Sequence, residues 1–371
     1  MAGPVVITGG GTGGHVFPMQ AVAEALREQG LTANELRYVG SRRGQEAQLL
    51  RGEIKLTLLP GRGIRRSLYP RDVLINFGAV VGLVTAVVMA LVLVRRWRPS
   101  VVVSVGGYAS FAVSCAAVLW HAPLVLVEFD ATPGTAHRLF QRYARIRCCA
   151  FAEDGDNVVV TGAPLRHAIE DIDRSSTARA TSRSSLVPPI ELGRDVVVIM
   201  TGSLGSTKVN MAVRELARAW AERNDRTLLH VTGRRDYDEF LATSPRTDGL
   251  DYRVSAFADM VELWSVADVA VCRAGAITVA ELAVLAIPSV LVPLPGAPND
   301  HQTKNALAVV AAGGARMVRD DECTGDVLAQ LLDEILAPAT RASMEDGARS
   351  LAHPQAAAAI ASVVLDVRDH S

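Results

Sequence analysis

Aromatic residues are scarce, at 5% of the 371-residue chain, and cysteines number only five. Cys115, Cys148, Cys149, Cys272 and Cys323 form no C-x-x-C pair. That usage argues against a disulfide framework and suits a reducing compartment. Neither sign of charge is in excess: 38 Lys and Arg stand against 39 Asp and Glu, for a formal net charge of -1. A whole-chain basic surface is therefore missing, and nucleic acid is not an expected partner. There is no H-E-x-x-H and no Cys/His cluster with ligand spacing, so no metal site is expected. The N-terminus runs directly into Pro4-Val5-Val6-Ile7-Thr8, without a basic leader region or a small-residue cleavage site. Secretion is not expected.

Core material, by contrast, is plentiful: 49% of residues are hydrophobic and 21% charged, over a length that fits two domains. One apolar run stands out. Phe77 to Val94 carries no charge and is closed by Arg95, Arg96, Trp97 and Arg98. Its length makes it a candidate membrane span, with an interfacial Trp/Arg flank. It lies, however, between two apolar strand–helix patterns, and a true crossing would prevent them from sharing a sheet. A helix packed on its domain, with one face available to lipid, is the better expectation.

Short β-branched runs alternate with helical patterns throughout, as in parallel sheets with crossover helices. The first series comprises Val5 to Thr8, Leu36 to Val39, Leu56 to Leu59, Val101 to Val105, Leu124 to Glu128 and Val158 to Thr161. Asp173 to Asp195, rich in Ser, Thr and Arg and carrying Pro188-Pro189, reads as connecting surface. The second series comprises Val196 to Thr201, Leu228 to Thr232, Val269 to Cys272 and Ser289 to Val292, and an alanine-rich helix follows Pro354. The expected domains are residues 1–163 and 164–353, with a terminal helix over about 354–371 packing back on the first. Ligands of such sheets bind beyond the carboxyl ends of the strands, in a cleft between the two halves.

The first strand feeds Gly9-Gly10-Gly11-Thr12-Gly13-Gly14-His15, which satisfies G-x-G-x-x-G. The second strand ends Tyr38-Val39-Gly40-Ser41, without an acid for an adenosine ribose. Arg42 and Arg43 keep an NADP reading open. A tight turn that merely needs glycine is a second reading. The favoured third is a bare backbone that approaches an anionic or polyhydroxylated ligand at a helix N-terminus. His15 stands at the lip of the loop, as a cap or as a general base. The second half repeats the device in Gly202-Ser203-Leu204-Gly205-Ser206 and in the helix that begins after Arg273-Ala274-Gly275. Glu281, about two turns along that helix, is either a solvated surface residue or a carboxylate that accepts both hydroxyls of a ribose.

Taken together, these motifs resemble the MurG family of GT-B glycosyltransferases, α/β enzymes with two Rossmann-like domains facing each other across a cleft. The resemblance runs through Gly10 to Pro18, Ser104-Val105-Gly106-Gly107-Tyr108, Thr161-Gly162-Ala163-Pro164-Leu165-Arg166, Gly202 to Gly205, Ala276 to Glu281 and Asp300 to Ala306. It implies an inverting, cofactor-free hexosyltransferase that moves GlcNAc from UDP-GlcNAc to undecaprenyl-linked lipid I in peptidoglycan synthesis. The implied base is His15, with Glu128 as the neighbouring catalytic carboxylate. Thr12, Gly13, Gly14 and Asp130 would approach the donor, Arg166 and Ser203 the diphosphate, and Phe257 the uracil through its backbone. Ala276, Ile277, Thr278, Val279, Ala280 and Glu281 would hold diphosphate and ribose, and Gln302 the sugar hydroxyls. An anionic membrane surface and other cell-wall enzymes are further implied partners, at the cytoplasmic face of the membrane. One departure stands out: Val127-Glu128-Phe129-Asp130 replaces the family's His-Glu-Gln-Asn. A carboxylate at 130 cannot donate the hydrogen bond that an amide can.

Overall fold

The computed structural model describes residues 3–10, 13–42, 54–61, 70–202 and 204–370, with side chains left undescribed at 13–15 and 70–77. The chain divides into two compact units, Met1–Arg166 with Gln355–Ser371, and His167–Pro354. The division falls three residues later than the expected 163, so Pro164, Leu165 and Arg166 belong to the first unit.

Unit one is built on a seven-stranded sheet of order β3-β2-β1-β4-β5-β6-β7. Its strands are β1 (Val5–Gly10), β2 (Leu36–Ser41), β3 (Lys55–Leu59), β4 (Val101–Gly107), β5 (Leu124–Glu128), β6 (Ile146–Cys149) and β7 (Val158–Val160). Every pairing is parallel. The central strands are apolar at nearly every position because helices cover both faces, so neither face alternates with solvent. The Gly13–Glu28 helix buries Met19, Val22, Ala23 and Leu26. The Ala356–Asp369 helix returns to pack on it, where Arg368 pairs with Glu35 at 2.7 Å.

The apolar run forms the Pro70–Trp97 helix, whose Gly78–Trp97 segment is long and apolar enough to cross a membrane, with a mean hydropathy of 2.3. Its two faces differ. Ala86, Ala90 and Val94 enter the core beside Val6 and Val102. Val80, Val81, Val84, Val88 and Val92 point outward, each 47–60% exposed.

The second unit carries a six-stranded parallel sheet, β10-β9-β8-β11-β12-β13. Its strands are β8 (Asp195–Met200), β9 (Arg226–Val231), β10 (Asp251–Ser255), β11 (Val269–Cys272), β12 (Ser289–Leu291) and β13 (Ala315–Met317). The segment from Asp173 to Asp195 is part of this unit rather than a connector. It forms the Ser176–Ser185 helix, and its arginines point inward. Arg179 and Arg183 reach the buried Asp268 at 2.7 and 2.6 Å, and Arg174 donates to the carbonyls of Trp264 and Ala267. Long-range ion pairs make structure of a stretch whose composition reads as polar linker.

Candidate active site

In both sheets the strand order reverses once, between β1 and β4 in the first and between β8 and β11 in the second. At such switch points the loops after neighbouring strands part, which opens a crevice for ligands at the carboxyl ends. All the glycine motifs fall there.

At the first switch point the last residues of β1 and β4 still pack backbone to backbone, below the parting loops. Gly107 has φ +88°, and a Cβ on it would lie 2.3 Å from the Gly10 carbonyl oxygen. Ser110 laces the two together, its one hydroxyl proton shared between the carbonyls of Thr8, 2.9 Å away, and Gly106, 2.6 Å away. Gly13, Gly14 and His15 open the helix that follows β1, while Thr12 lies outside the described residues. Glu128, the last residue of β5, is only 6% exposed. Its Oε1 sits 2.8 Å from His137 Nδ1, an ion-pair distance outside hydrogen-bond geometry. His137 Nε2 lies 3.0 Å from Ser104 Oγ on β4. Glu128 is thus tied inward, to a buried imidazole that sequence reading missed. Asp130 is half-buried in the bend after β5. The Arg166 guanidinium stacks over the Phe17 ring at 4.9 Å.

Beside the second switch point glycine again packs backbone against backbone, here on the β9 side of β8. Gly205 (φ +73°) would place a Cβ 1.9 Å from the Thr232 carbonyl oxygen, so the loops after β8 and β9 touch through glycine. Ser203 lies outside the described residues. Arg273, directly after β11, ties the surrounding loops together. It donates to Ser206 Oγ at 2.7 Å and to the carbonyls of Val292 and Pro293 at 3.0 Å, and it pairs with Asp320 at 2.7 Å. Ser206 in turn caps the Thr207–Ala219 helix. The Ala276–Val284 helix starts three residues past Arg273, and a Cβ on its Gly275 cap would meet no atom within 4 Å. No side chain caps its first N–H groups, and a helix N-terminus of this kind favours an anion.

Further along that helix, Thr278 is half-buried and Glu281 is 8% exposed. Glu281 is no surface residue: the Trp264 indole donates to its Oε2 at 2.9 Å. Gln302 Oε1 accepts from the Leu294 N–H at 3.0 Å, which leaves its NH2 as the group able to donate. Phe257 follows β10 and is 67% exposed, with the Arg234 guanidinium 5.8 Å from its ring. Sequence reading also missed Asn305, which donates from a fully buried position to the Ala274 carbonyl at 3.1 Å. The signal was available, since a polar side chain falls on the core face of the His301–Ala311 helix beside Ala306 and Val309.

A buried polar chain supports the loops after β8 and β9. Asn210 Nδ2 donates to the Thr232 carbonyl at 3.0 Å and to Asp236 at 3.1 Å, so its Oδ1 must accept from His230 Nε2, 3.0 Å away. His230 Nδ1 then accepts from the Tyr252 hydroxyl at 2.9 Å. Burial holds this imidazole neutral, with its pKa down at about 3. Once unfolded it would titrate near the ordinary 6.5 or so, and acid would then favour the unfolded chain. The stability due to His230 is therefore complete above about pH 6.5 and declines as pH falls toward 3. At pH 5 the loss should be about 2 kcal/mol, since a single titration contributes about 1.4 kcal/mol per pH unit below the unfolded pKa. Urea midpoints measured from pH 7 to 5 should show this slope, and His230→Gln should flatten it. An equal slope in the variant would assign the acid sensitivity to other groups.

Two all-parallel α/β units with glycine-built switch points are the architecture of the GT-B enzymes, glycosyltransferases among them. Residues 5–146 match the glycosyltransferase family 28 N-terminal domain and residues 196–360 its C-terminal domain. The UDP-N-acetylglucosamine–N-acetylmuramyl-(pentapeptide) pyrophosphoryl-undecaprenol N-acetylglucosamine transferase of Moorella thermoacetica is 37% identical over 97% of this chain and 98% of its own. That of Alkalilimnicola ehrlichii is 36% identical over 99% of both. Among solved structures, Acinetobacter baumannii MurG superposes with a TM-score of 0.77 at 27% identity, covering 98% of this chain and 99% of its own. A kitacinnamycin glycosyltransferase shares the fold alone, with a TM-score of 0.68 at 16% identity over 99% of both chains. The chain belongs to the MurG family. That membership sets aside the NADP reading of the first glycine loop.

Proposed function

We propose that this enzyme transfers GlcNAc from UDP-GlcNAc to the 4-hydroxyl of the MurNAc unit in undecaprenyl-linked lipid I, giving lipid II. The observation that carries this is the donor cradle of the second unit. A helix N-terminus without a side-chain cap follows β11 after the short segment 273–275, where it would meet the diphosphate, and the enclosed Glu281 lies farther along the same helix. In the reaction the acceptor oxygen attacks C1 of GlcNAc as the C1–O bond to UDP breaks, with inversion. The proton passes to His15. Charge growing on the departing UDP is met by the helix N-terminus, Ser203 and Arg166. Backbone at Phe257 holds the uracil, and Gln302 donates to a sugar hydroxyl. Purified protein given lipid I should convert UDP-GlcNAc to UDP and lipid II in equal amounts, and should turn over UDP-glucose poorly. Turnover with another nucleotide sugar but not with UDP-GlcNAc would overturn the donor assignment and point to Asp130 as the altered contact.

The acceptor's lipid tail calls for membrane contact, which the exposed valine face of the Pro70–Trp97 helix can supply. Arg95, Arg96 and Arg98 are exposed at its end, and Arg95 stacks on the half-exposed Trp120 at 4.9 Å. Valines entering the headgroup boundary and arginines meeting anionic lipid make a peripheral protein, placed here at the cytoplasmic face. Each arginine contributes about 1 kcal/mol near an anionic surface. Replacing all three with Gln should therefore weaken binding to phosphatidylglycerol vesicles by about a hundredfold while leaving UDP affinity unchanged. Release from membranes by detergent alone, and not by salt or carbonate, would indicate a spanning helix instead.

A further inference from the structure

Glu281 is enclosed, and a glutamate has three torsions to fix before its carboxylate points anywhere useful. A contact with Trp264 helps to fix them. The indole N–H of Trp264 donates to Oε2 at 2.9 Å, from a ring that is wholly buried. The ring is itself firmly mounted. The Met260–Val266 helix that carries it is capped by Asp259, whose Oδ1 accepts from the Val261 N–H at 2.9 Å. Beyond the cap, Arg174 donates to the Trp264 carbonyl and Arg183 to that of Val266. An indole N–H can only donate, so it matches an ionised carboxylate, and each carboxylate oxygen has two lone pairs. Oε2 can therefore accept from the indole and still accept a hydroxyl.

We propose that Trp264 is a positioning residue for the donor: by holding Oε2 it aims the Glu281 carboxylate at the ribose hydroxyls. This rests on Glu281 as the ribose holder. The alternative is that the glutamate merely satisfies a buried indole, and that Trp264 only packs.

Calorimetric titration of the full-length protein with UDP and with 2′-deoxy-UDP separates the two. Trp264→Phe keeps a buried aromatic ring but removes the N–H together with part of the indole's bulk. It should weaken UDP about tenfold, the scale of a charged hydrogen bond's contribution, and weaken 2′-deoxy-UDP, which keeps only the 3′-hydroxyl, by clearly less. A partly unfolded variant would bind fewer equivalents of both ligands alike, so the ratio of the two affinities is the readout. Glu281→Ala is the reference, and it should erase the wild-type preference for UDP. If it does so while Trp264→Phe retains the full preference, the positioning role is overturned and the ribose role stands. If Glu281→Ala itself retains the preference, the ribose role fails and the proposal fails with it.

Discussion

Gly205→Ala should reduce UDP affinity by about a hundredfold or more while leaving a cooperatively folded protein. Two costs combine at this position. An L-residue at φ +73° carries about 1–2 kcal/mol of backbone strain. The new Cβ would also fall 1.9 Å from the Thr232 carbonyl oxygen, well inside contact distance. Facing it is Gly233, whose own Cβ would meet Gly205 N at 2.4 Å, so neither loop has a side chain that can swing away. The loops after β8 and β9 must separate, and with them moves the turn that the proposed reading assigns to the diphosphate. A displacement of about 1 Å in a binding constellation is enough for a hundredfold loss. The sheet core of Val197, Ile199, Leu228 and Val271 lies below the loops and should survive, with the melting midpoint lowered by about 5 °C. Gly193→Ala is the control. It has φ +88° but no atom within 4 Å of its Cβ, so it should show the strain without the loss of UDP. Near-normal affinity in folded Gly205→Ala would remove this contact from the account of donor binding.

The glycine loops were legible in the sequence because their chemistry is local. A chain that turns back at positive φ beside another backbone needs glycine, and Gly107 and Gly205 are recognisable from their neighbours alone. The long central strands were legible for a related reason: unbroken runs such as Val101 to Val105 can be stable only when both faces are covered. Some short strands were not. β6 contains Arg147, β10 contains Asp251 and Arg253, and β13 is three residues long, so none of them shows a period. Partnerships across the chain were not legible at all. Nothing near Glu128 announces His137, nor near Glu281 announces Trp264, because each pair meets only after the sheet has formed. The Arg174, Arg179 and Arg183 series misled for the same reason. Arginines in a Ser/Thr-rich stretch look solvated until Asp268, far along the chain, is brought beneath them.

The pairing of Glu128 with His137 also bears on which group takes the acceptor proton. A general base must reach the hydroxyl, directly or through one water. Glu128 is enclosed at the end of β5, with its Oε1 2.8 Å from a buried imidazole. That setting suits a residue that holds the β4 and β5 ends in place, through His137 and Ser104. His15 stands differently, in the first turn of the helix that leaves β1, where the glycine loop brings the backbone to the switch point. His15→Ala should therefore lower kcat by about 10²–10⁴-fold, the usual contribution of a positioned base, with UDP affinity held within about twofold. Added imidazole should restore part of the rate. Glu128→Gln, which keeps the shape of the side chain, should cost less than about tenfold in kcat, because its contribution is geometric. The reverse order, with Glu128→Gln nearly inactive and His15→Ala nearly normal, would make Glu128 the base and His137 the residue that orients it.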